Sequence, residues 1–412
     1  MNFEKKLSLK QNALWNAAGC FFYLGCQWLI TVLVVVLSDS FLDSGYLAFA
    51  MATGNIFASV GLYKVRTYQV ADIADSTTQE EYVGFRILTI TVSAAVTTIY
   101  IFISATSIKS LLVSMAYLLF KADESFNDVN FGFAQKRFRM DFIGQSQFLR
   151  GFITVGLFTA TMFFSHNTEL SVLFMALGGI SVTCLFDMRY AKNFGFTKPA
   201  LNTNLVKKML RDLTLPMLAN LLATSIVSVS RQLYGCIGGE EALGIYASIA
   251  TPAVLIQAGI SYIYSPLLGK IAGTYLNHGN KEFINYLSKI YFLMILIIIV
   301  FSFVLYIPGT SLLLAMYGAK IEPYVKSFIF VLMATGGVAL LYFINDVLII
   351  MRSRLSQILL NSLAFFGCIS SISTTVALFG MNGLNISIGI STTVSSFIGY
   401  VLAIYLSANQ KL

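Results

Sequence analysis

The chain has 412 residues, 57% of them hydrophobic and 11% charged, with a formal net charge of +8 and a mean hydropathy of +0.77. No soluble domain has this composition, so the sequence describes an all-α polytopic membrane protein. A β-barrel is excluded as well, because the apolar runs are too long and continuous for alternating strands of about ten residues.

The N-terminus, MNFEKKLSLKQN, is short and basic, and no small-residue cleavage site follows it. The apolar run behind it therefore reads as a retained first span. Twelve apolar segments follow in order, near residues 14–37, 45–63, 85–106, 109–133, 149–164, 170–188, 214–236, 243–267, 286–307, 324–349, 355–379 and 384–406. The first carries a polar stripe that includes Asn16, Tyr23 and Gln27; the seventh carries Asn220, Thr224, Ser228 and Arg231 at helical spacings. Such hydroxyls and amides commonly join membrane helices to one another. Arg231 differs, because an ionisable group inside a span is a functional candidate. Pro216, Pro252 and Pro266 fall in spans seven and eight, where each removes a helix hydrogen bond and permits a bend.

The fourth segment is the least apolar, running YLLFKADESFNDVNFGFAQKRFR from Tyr117 to Arg139. On a helix, Lys121, Ser125, Asp128, Gly132 and Gln135 share one face, with Glu124 at its edge. Each ionised residue at a span centre costs about 2.5–3.5 kcal/mol if it faces lipid, so these face protein, water or a solute. Two readings stand side by side: an internal pair of Lys121 with Glu124 or Ser125 that fixes helix packing, or the lining of a translocation path.

If the N-terminus is cytoplasmic, 22 of the 27 Lys and Arg fall on the cytoplasmic side, 3 fall opposite, and Lys121 and Arg231 lie within spans. That asymmetry predicts both termini in the cytoplasm. The positive charge then reflects topology and anionic lipid, and predicts no nucleic-acid partner. The longest inner loop, near 189–213, contains NLVKKMLRDL, a basic amphipathic pattern. The expected organisation is a six-helix lobe over 1–190, a cytoplasmic linker helix over 191–213 and a second six-helix lobe over 214–412. Asn127-Asp128-Val129 in span four returns as Asn345-Asp346-Val347 in span ten, at matching depth. This points to two pseudo-symmetric six-helix units related by an axis along the membrane normal.

Cys20, Cys26, Cys184, Cys236 and Cys368 are scattered with no Cys-x-x-Cys, and His166 and His278 lie far apart. No disulfide framework, metal site or cofactor is expected.

The loop GLYKVRTYQVADIADSTTQEEYVGFRILT (Gly61–Thr89), the span-four pattern with QKRFRMDFIGQS behind it, and SRQLYGCIGGEEALGIYASIA (Ser230–Ala250) together carry a resemblance. The chain resembles the Wzx-type polysaccharide flippases of the multidrug/oligosaccharidyl-lipid/polysaccharide (MOP) superfamily, the MATE-like transporters. The resemblance implies a two-lobed, V-shaped, twelve-helix transporter with a central cavity, in a bacterial inner membrane. It implies alternating access and a substrate such as an undecaprenyl-pyrophosphate-linked repeat unit of O-antigen or capsule. Membrane lipid, a proton or sodium ion, and other polysaccharide-assembly proteins are the further partners. Arg66 and Arg86 match its basic loop pattern, Lys121, Glu124 and Asp128 its span-four pattern, and Arg231 its span-seven Arg-Tyr position. Many relatives have Pro before that Arg; here Ser230 stands there, and Gln232 and Leu233 separate Arg231 from Tyr234.

Lys121, Arg231, Asn16, Gln27, Asn220, Arg66 and Arg86 are thus the candidate substrate-binding residues. Glu124, Asp128 and Asp346 are the candidates for ion coupling or charge pairing. A MATE-type cation-coupled drug antiporter shares the architecture. A membrane polysaccharide polymerase would need a sizeable outer loop bearing catalytic residues, and no such loop or nucleophile–base pair is present, so no enzymatic activity is expected.

Overall fold

A computed structural model describes residues 6–38, 40–72, 77–193, 198–277 and 280–409. Among them the regular structure is helical throughout. Chain contacts divide it into two units, Met1–Met217 and Leu218–Leu412.

The first unit contains α1 (Leu9–Ser38), α2 (Phe41–Leu62), the short α3 (Val65–Ala71), α4 (Gln79–Ser104), α5 (Ile108–Lys136), α6 (Met140–Ser165), α7 (Thr168–Val182) and α8 (Met188–Asn193). A π-turn, Thr183–Asp187, joins α7 to α8. Side-chain caps set several starts. The Ser40 hydroxyl accepts from the Leu42 N–H, and Thr78 and Glu81 form a reciprocal capping box at α4. Ser107 and Asn167 accept from backbone N–H groups of Ser110 and Leu170. Each cap satisfies a donor that a helix leaves open in its first turn.

Helix α4 shows how the sequence sorts its faces. Arg86, Thr89, Ser93 and Thr97 are buried, whereas Val92, Val96, Ile99 and Ile103 are exposed. The polar stripe turns inwards because α2 offers it acceptors: Thr89 and Ser93 donate to the carbonyls of Gly61 and Phe57 at 2.8 and 2.9 Å. The apolar stripe suits hydrocarbon, where no solvent could satisfy a hydroxyl.

The linker after α8 is held by the first unit. The Ala200 N–H donates to the Glu80 carbonyl at 3.0 Å, and the Asn202 amide donates to Glu81 at 2.8 Å. Gly84 permits this approach, since a Cβ there would lie 2.0 Å from the Ala200 carbonyl oxygen. Asn202 also accepts from the Asn204 N–H at 3.0 Å and so opens α9 (Thr203–Asn277). The basic segment NLVKKMLRDL forms the opening turns of α9 and continues directly into span seven. Helical structure runs through Pro216, Pro252 and Pro266; the non-helical residue in α9 is Gly239, with φ 86° and ψ 167°. Only glycine adopts those angles at ordinary cost.

The second unit continues with α10 (Asn280–Tyr317), α11 (Phe328–Ile350), α12 (Arg354–Phe379) and α13 (Met381–Asn409). α13 packs along α11 and α12, and α10 along α11. Phe343, Ile344, Val347 and Leu348 of α11 form a core with Ile260, Phe283, Leu287 and Tyr291.

Ten helical stretches among the described residues are long and apolar enough to cross a membrane. One of these, Thr203–Ala253, contains the Gly239 break and so supplies two helices. α5, with 29 residues, is long enough but too charged to count among the ten. It completes the expected twelve, and it packs against α2, α3, α4, α6 and α7.

Candidate functional site

The charges of α5 meet partners on three sides. At its middle, the Lys121 ammonium lies 2.6 Å from a Glu124 carboxylate oxygen, and the Tyr23 hydroxyl of α1 donates to the other. The ammonium also sits 5.6 Å from the Tyr117 ring centroid. Gly54 of α2 lets this layer close, because a Cβ there would come within 2.8 Å of Tyr117. The internal pair weighed from sequence is therefore formed. Lys121 keeps further N–H donors, since an ammonium has three, and its side chain is 18% exposed.

One face round, Asp123 accepts from Arg150 of α6. The same guanidinium donates to the Thr183 hydroxyl at 2.6 Å and lies 3.6 Å from Asp187. Asn127 donates to Asp187 at 2.7 Å, and Asn130 donates to Asn127 at 3.1 Å. Asp123, Asn127, Arg150, Thr183 and Asp187 are all buried. Gly179 leaves room for the ion pair, with its Cβ position 3.2 Å from both the Arg150 and Asp123 side chains.

Nearer the end of α5, Asp128 binds two arginines. Arg86 donates to it at 2.8 Å and also to the Gly61 carbonyl at 3.0 Å. Arg66 reaches the other carboxylate oxygen at 3.4 Å and donates to Gln135 at 3.0 Å. Arg86 is fully buried and the Arg66 side chain is 27% exposed. Both are thus brought to span four, where two guanidiniums share one carboxylate.

In the second unit the repeated triplet behaves alike. Asn345 donates to Asn361 on the next helix at 2.9 Å, and Val347, like Val129, is completely buried. Asp346 accepts from the Tyr264 hydroxyl at 3.0 Å. Asn361 donates to the Ala219 carbonyl at 3.0 Å, beside Asn220. Asn16, Gln27 and Asn220 are half-buried, and the Gln27 amide nitrogen is enclosed without a hydrogen-bond partner among the described residues.

Arg231 stands apart. Among the described residues no carboxylate pairs with it. Its guanidinium carbon lies 5.6 Å from the Tyr246 ring centroid, and its Nε is buried without an acceptor. The Tyr246 hydroxyl donates to Asn385 at 3.1 Å, which leaves the buried Asn385 Nδ2 as a second donor without a partner. An unsatisfied guanidinium donor with an unsatisfied amide donor nearby is costly unless a ligand or water accepts from them.

Sequence reasoning missed Arg150 and Asp187. Arg150 counts as a loop cation when span five starts at residue 149, but α6 starts at Met140. Asp187 lies on a π-turn, which has no sequence signature. Among the described residues no group of three or more His, Cys, Asp or Glu has the geometry to hold a metal.

These helices, in this order, take the fold seen in solved MATE-family transporters of the MOP superfamily. A multidrug-resistance MATE family transporter of that superfamily, solved facing inwards, matches with a TM-score of 0.69 and 14% identity, over 100% of this chain and 98% of that one. The MATE multidrug transporter DinF-BH matches with a TM-score of 0.66 and 12% identity, over 96% and 94%. Identities this low establish the fold alone. In sequence, the chain is 26% identical over 301 residues to the capsular polysaccharide biosynthesis protein CapF of Staphylococcus aureus, covering 72% of this chain and 74% of that one. No family model matches.

Proposed function

We propose that this chain is a flippase. It moves undecaprenyl-pyrophosphate-linked oligosaccharide repeat units, of O-antigen or capsule type, from the inner to the outer leaflet of a bacterial inner membrane, with both termini cytoplasmic. Such a substrate has an anionic, sugar-bearing head that does not cross about 30 Å of hydrocarbon unaided. The observation that carries the reading is the unneutralised Arg231, with the free Asn385 donor beside it. The guanidinium offers five donors in a planar fork suited to phosphate oxygens. Lys121, steadied by Glu124, supplies further donors. Asn16, Gln27 and Asn220 serve sugar hydroxyls. Arg66 and Arg86, tied to Asp128, hold the loop and α4 in place, and contribute field more than contact. The capsule-related relative supports a polysaccharide substrate. Alternating access is the motion that the fold and its sequence repeat support.

A cation-coupled drug antiporter is the second reading, favoured by the solved neighbours. Its substrate needs an available carboxylate, yet the acidic residues of α5 all face arginine or lysine.

In a host lacking its own repeat-unit exporter, the chain should restore the surface polymer. Arg231→Ala should abolish that export with membrane levels of the protein unchanged, while lipid-linked repeat units accumulate. Full export by the variant would overturn the role of Arg231. Unchanged polymer in a deletion strain that becomes drug-sensitive would replace the flippase reading with the antiporter.

A further inference from the structure

The cluster on α5 divides into three groups of different net charge. Lys121 with Glu124 is neutral. Arg66 and Arg86 with Asp128 sum to one positive charge, part of which meets solvent through Arg66. Asp123 and Asp187 share the single guanidinium of Arg150, which leaves one negative charge in a site where every member is at least nine-tenths buried. Asp128 projects about 140° round the helix from Asp123, at roughly 100° per residue, so its arginines do not compensate this site. Two carboxylates in one enclosed site do not both stay ionised without a second positive charge.

Among the described residues, the groups facing Asp187 come from three elements. α5 presents Asp123, Asn127 and Asn130; α6 presents Arg150 and Ser146; the π-turn presents Thr183. Tyr190 of α8 lies one turn on, and the Arg139–Asp141 pair at the start of α6 is internally neutral at 2.9 Å. None of these supplies the missing charge. A small, partly open cleft between α5, α6 and α8, with a cavity volume of about 10 Å³ and so room for roughly one water, has Asp187 among its lining, with Asn130, Ala134, Phe142 and Tyr190. Asp187, unlike Asp123, is among the residues that line this cleft. The π-turn fits this role, because it brings Thr183 and Asp187 together on the Arg150 side, and such turns gather at functional sites.

We infer that Asp187 is an exchangeable-proton site, loaded from the cleft between α5, α6 and α8. The proton comes from hydronium in the cleft and binds a carboxylate oxygen, leaving water behind. With Asp187 neutral, Arg150 pairs with Asp123 alone. With Asp187 ionised, Arg150 is drawn between the two and pulls α7 towards α5 and α6. The inference rests on the transport reading only for what this step drives; the proton site stands on geometry and charge.

The test is infrared difference spectroscopy of the purified full-length protein in detergent, titrated from mildly alkaline to mildly acidic pH. A buried carboxylic-acid carbonyl band should appear on acidification and vanish in Asp187→Asn. It should also be lost in Asp123→Asn, in which Arg150 alone neutralises Asp187, and persist to more alkaline pH in Arg150→Gln. No such band in the wild type, or a band unchanged in Asp187→Asn, would overturn the inference, as would a wild-type band replaced by saturable sodium binding that Asp187→Asn abolishes. Absence of the wild-type band overturns the inference whether or not a variant folds well. A band with this pattern in a chain that restores no surface polymer would keep the proton site and remove the flippase reading; restored polymer without the band would do the reverse.

Discussion

Replacing Arg150 with Met keeps most of the side-chain volume and removes the charge that Asp123 and Asp187 share. The Arg150 side chain is 3% exposed, and its two carboxylate partners are 6% and 5% exposed. Breaking a buried ion pair from one side typically costs about 3–5 kcal/mol, because the remaining charge is left uncompensated. At about 1.4 kcal/mol per tenfold change, that shifts unfolding of the first unit by roughly two to four powers of ten. For a unit of this length the melting temperature should fall by roughly 6–20 °C. Cys26 gives a local readout: it is buried on α1 against Gly151, beside Arg150. In a variant retaining only that cysteine, thiol labelling on heating should begin earlier after Arg150→Met. Adding Asp123→Asn removes one stranded carboxylate and should restore about 1–3 kcal/mol, the range for residues in one network. A melting temperature within about 2 °C of the parent, under the 1 kcal/mol level, would refute the argument, as would a double variant no better than Arg150→Met.

Two further substitutions test the backbone. Gly239→Ala places a Cβ where nothing lies within 4 Å, so only the dihedral strain changes; it should lower thermal stability by about 1–3 kcal/mol, and an unchanged melt would show that the break is adjustable. Gly84→Ala drives a Cβ onto the Ala200 carbonyl at 2.0 Å; it should cost about 1–3 kcal/mol and raise protease cleavage near 198–202, and unaltered cleavage would mean that the linker is not held there.

The apolar runs made the helices legible, because a span needs about twenty apolar residues and the sequence writes each one out. The charged fourth helix was legible as a helix at the centre of something, and the pairing of Lys121 with Glu124 follows from their i, i+3 spacing. Arg150 was not, because the lead-in MDFIGQSQFLR resembles a loop until α5 is there to receive its polar face. Its Asp123 partner lies 27 residues away in sequence, and the Arg86–Asp128 pair spans 42; such pairings depend on which helices become neighbours. The turn after span seven was expected as a short loop. It is one glycine in an otherwise continuous helix, a distinction that φ and ψ carry and composition does not.

Helix α5 also bears on how the chain is made. Its carboxylates Asp128 and Asp123 find partners on α4, completed earlier by the ribosome, and on α6, completed later. Released singly into lipid at the translocon, α5 would carry an insertion penalty of about 2.5–3.5 kcal/mol for each unpaired ion near its centre. The cost is avoided if α5 enters the bilayer beside the helices that carry its partners.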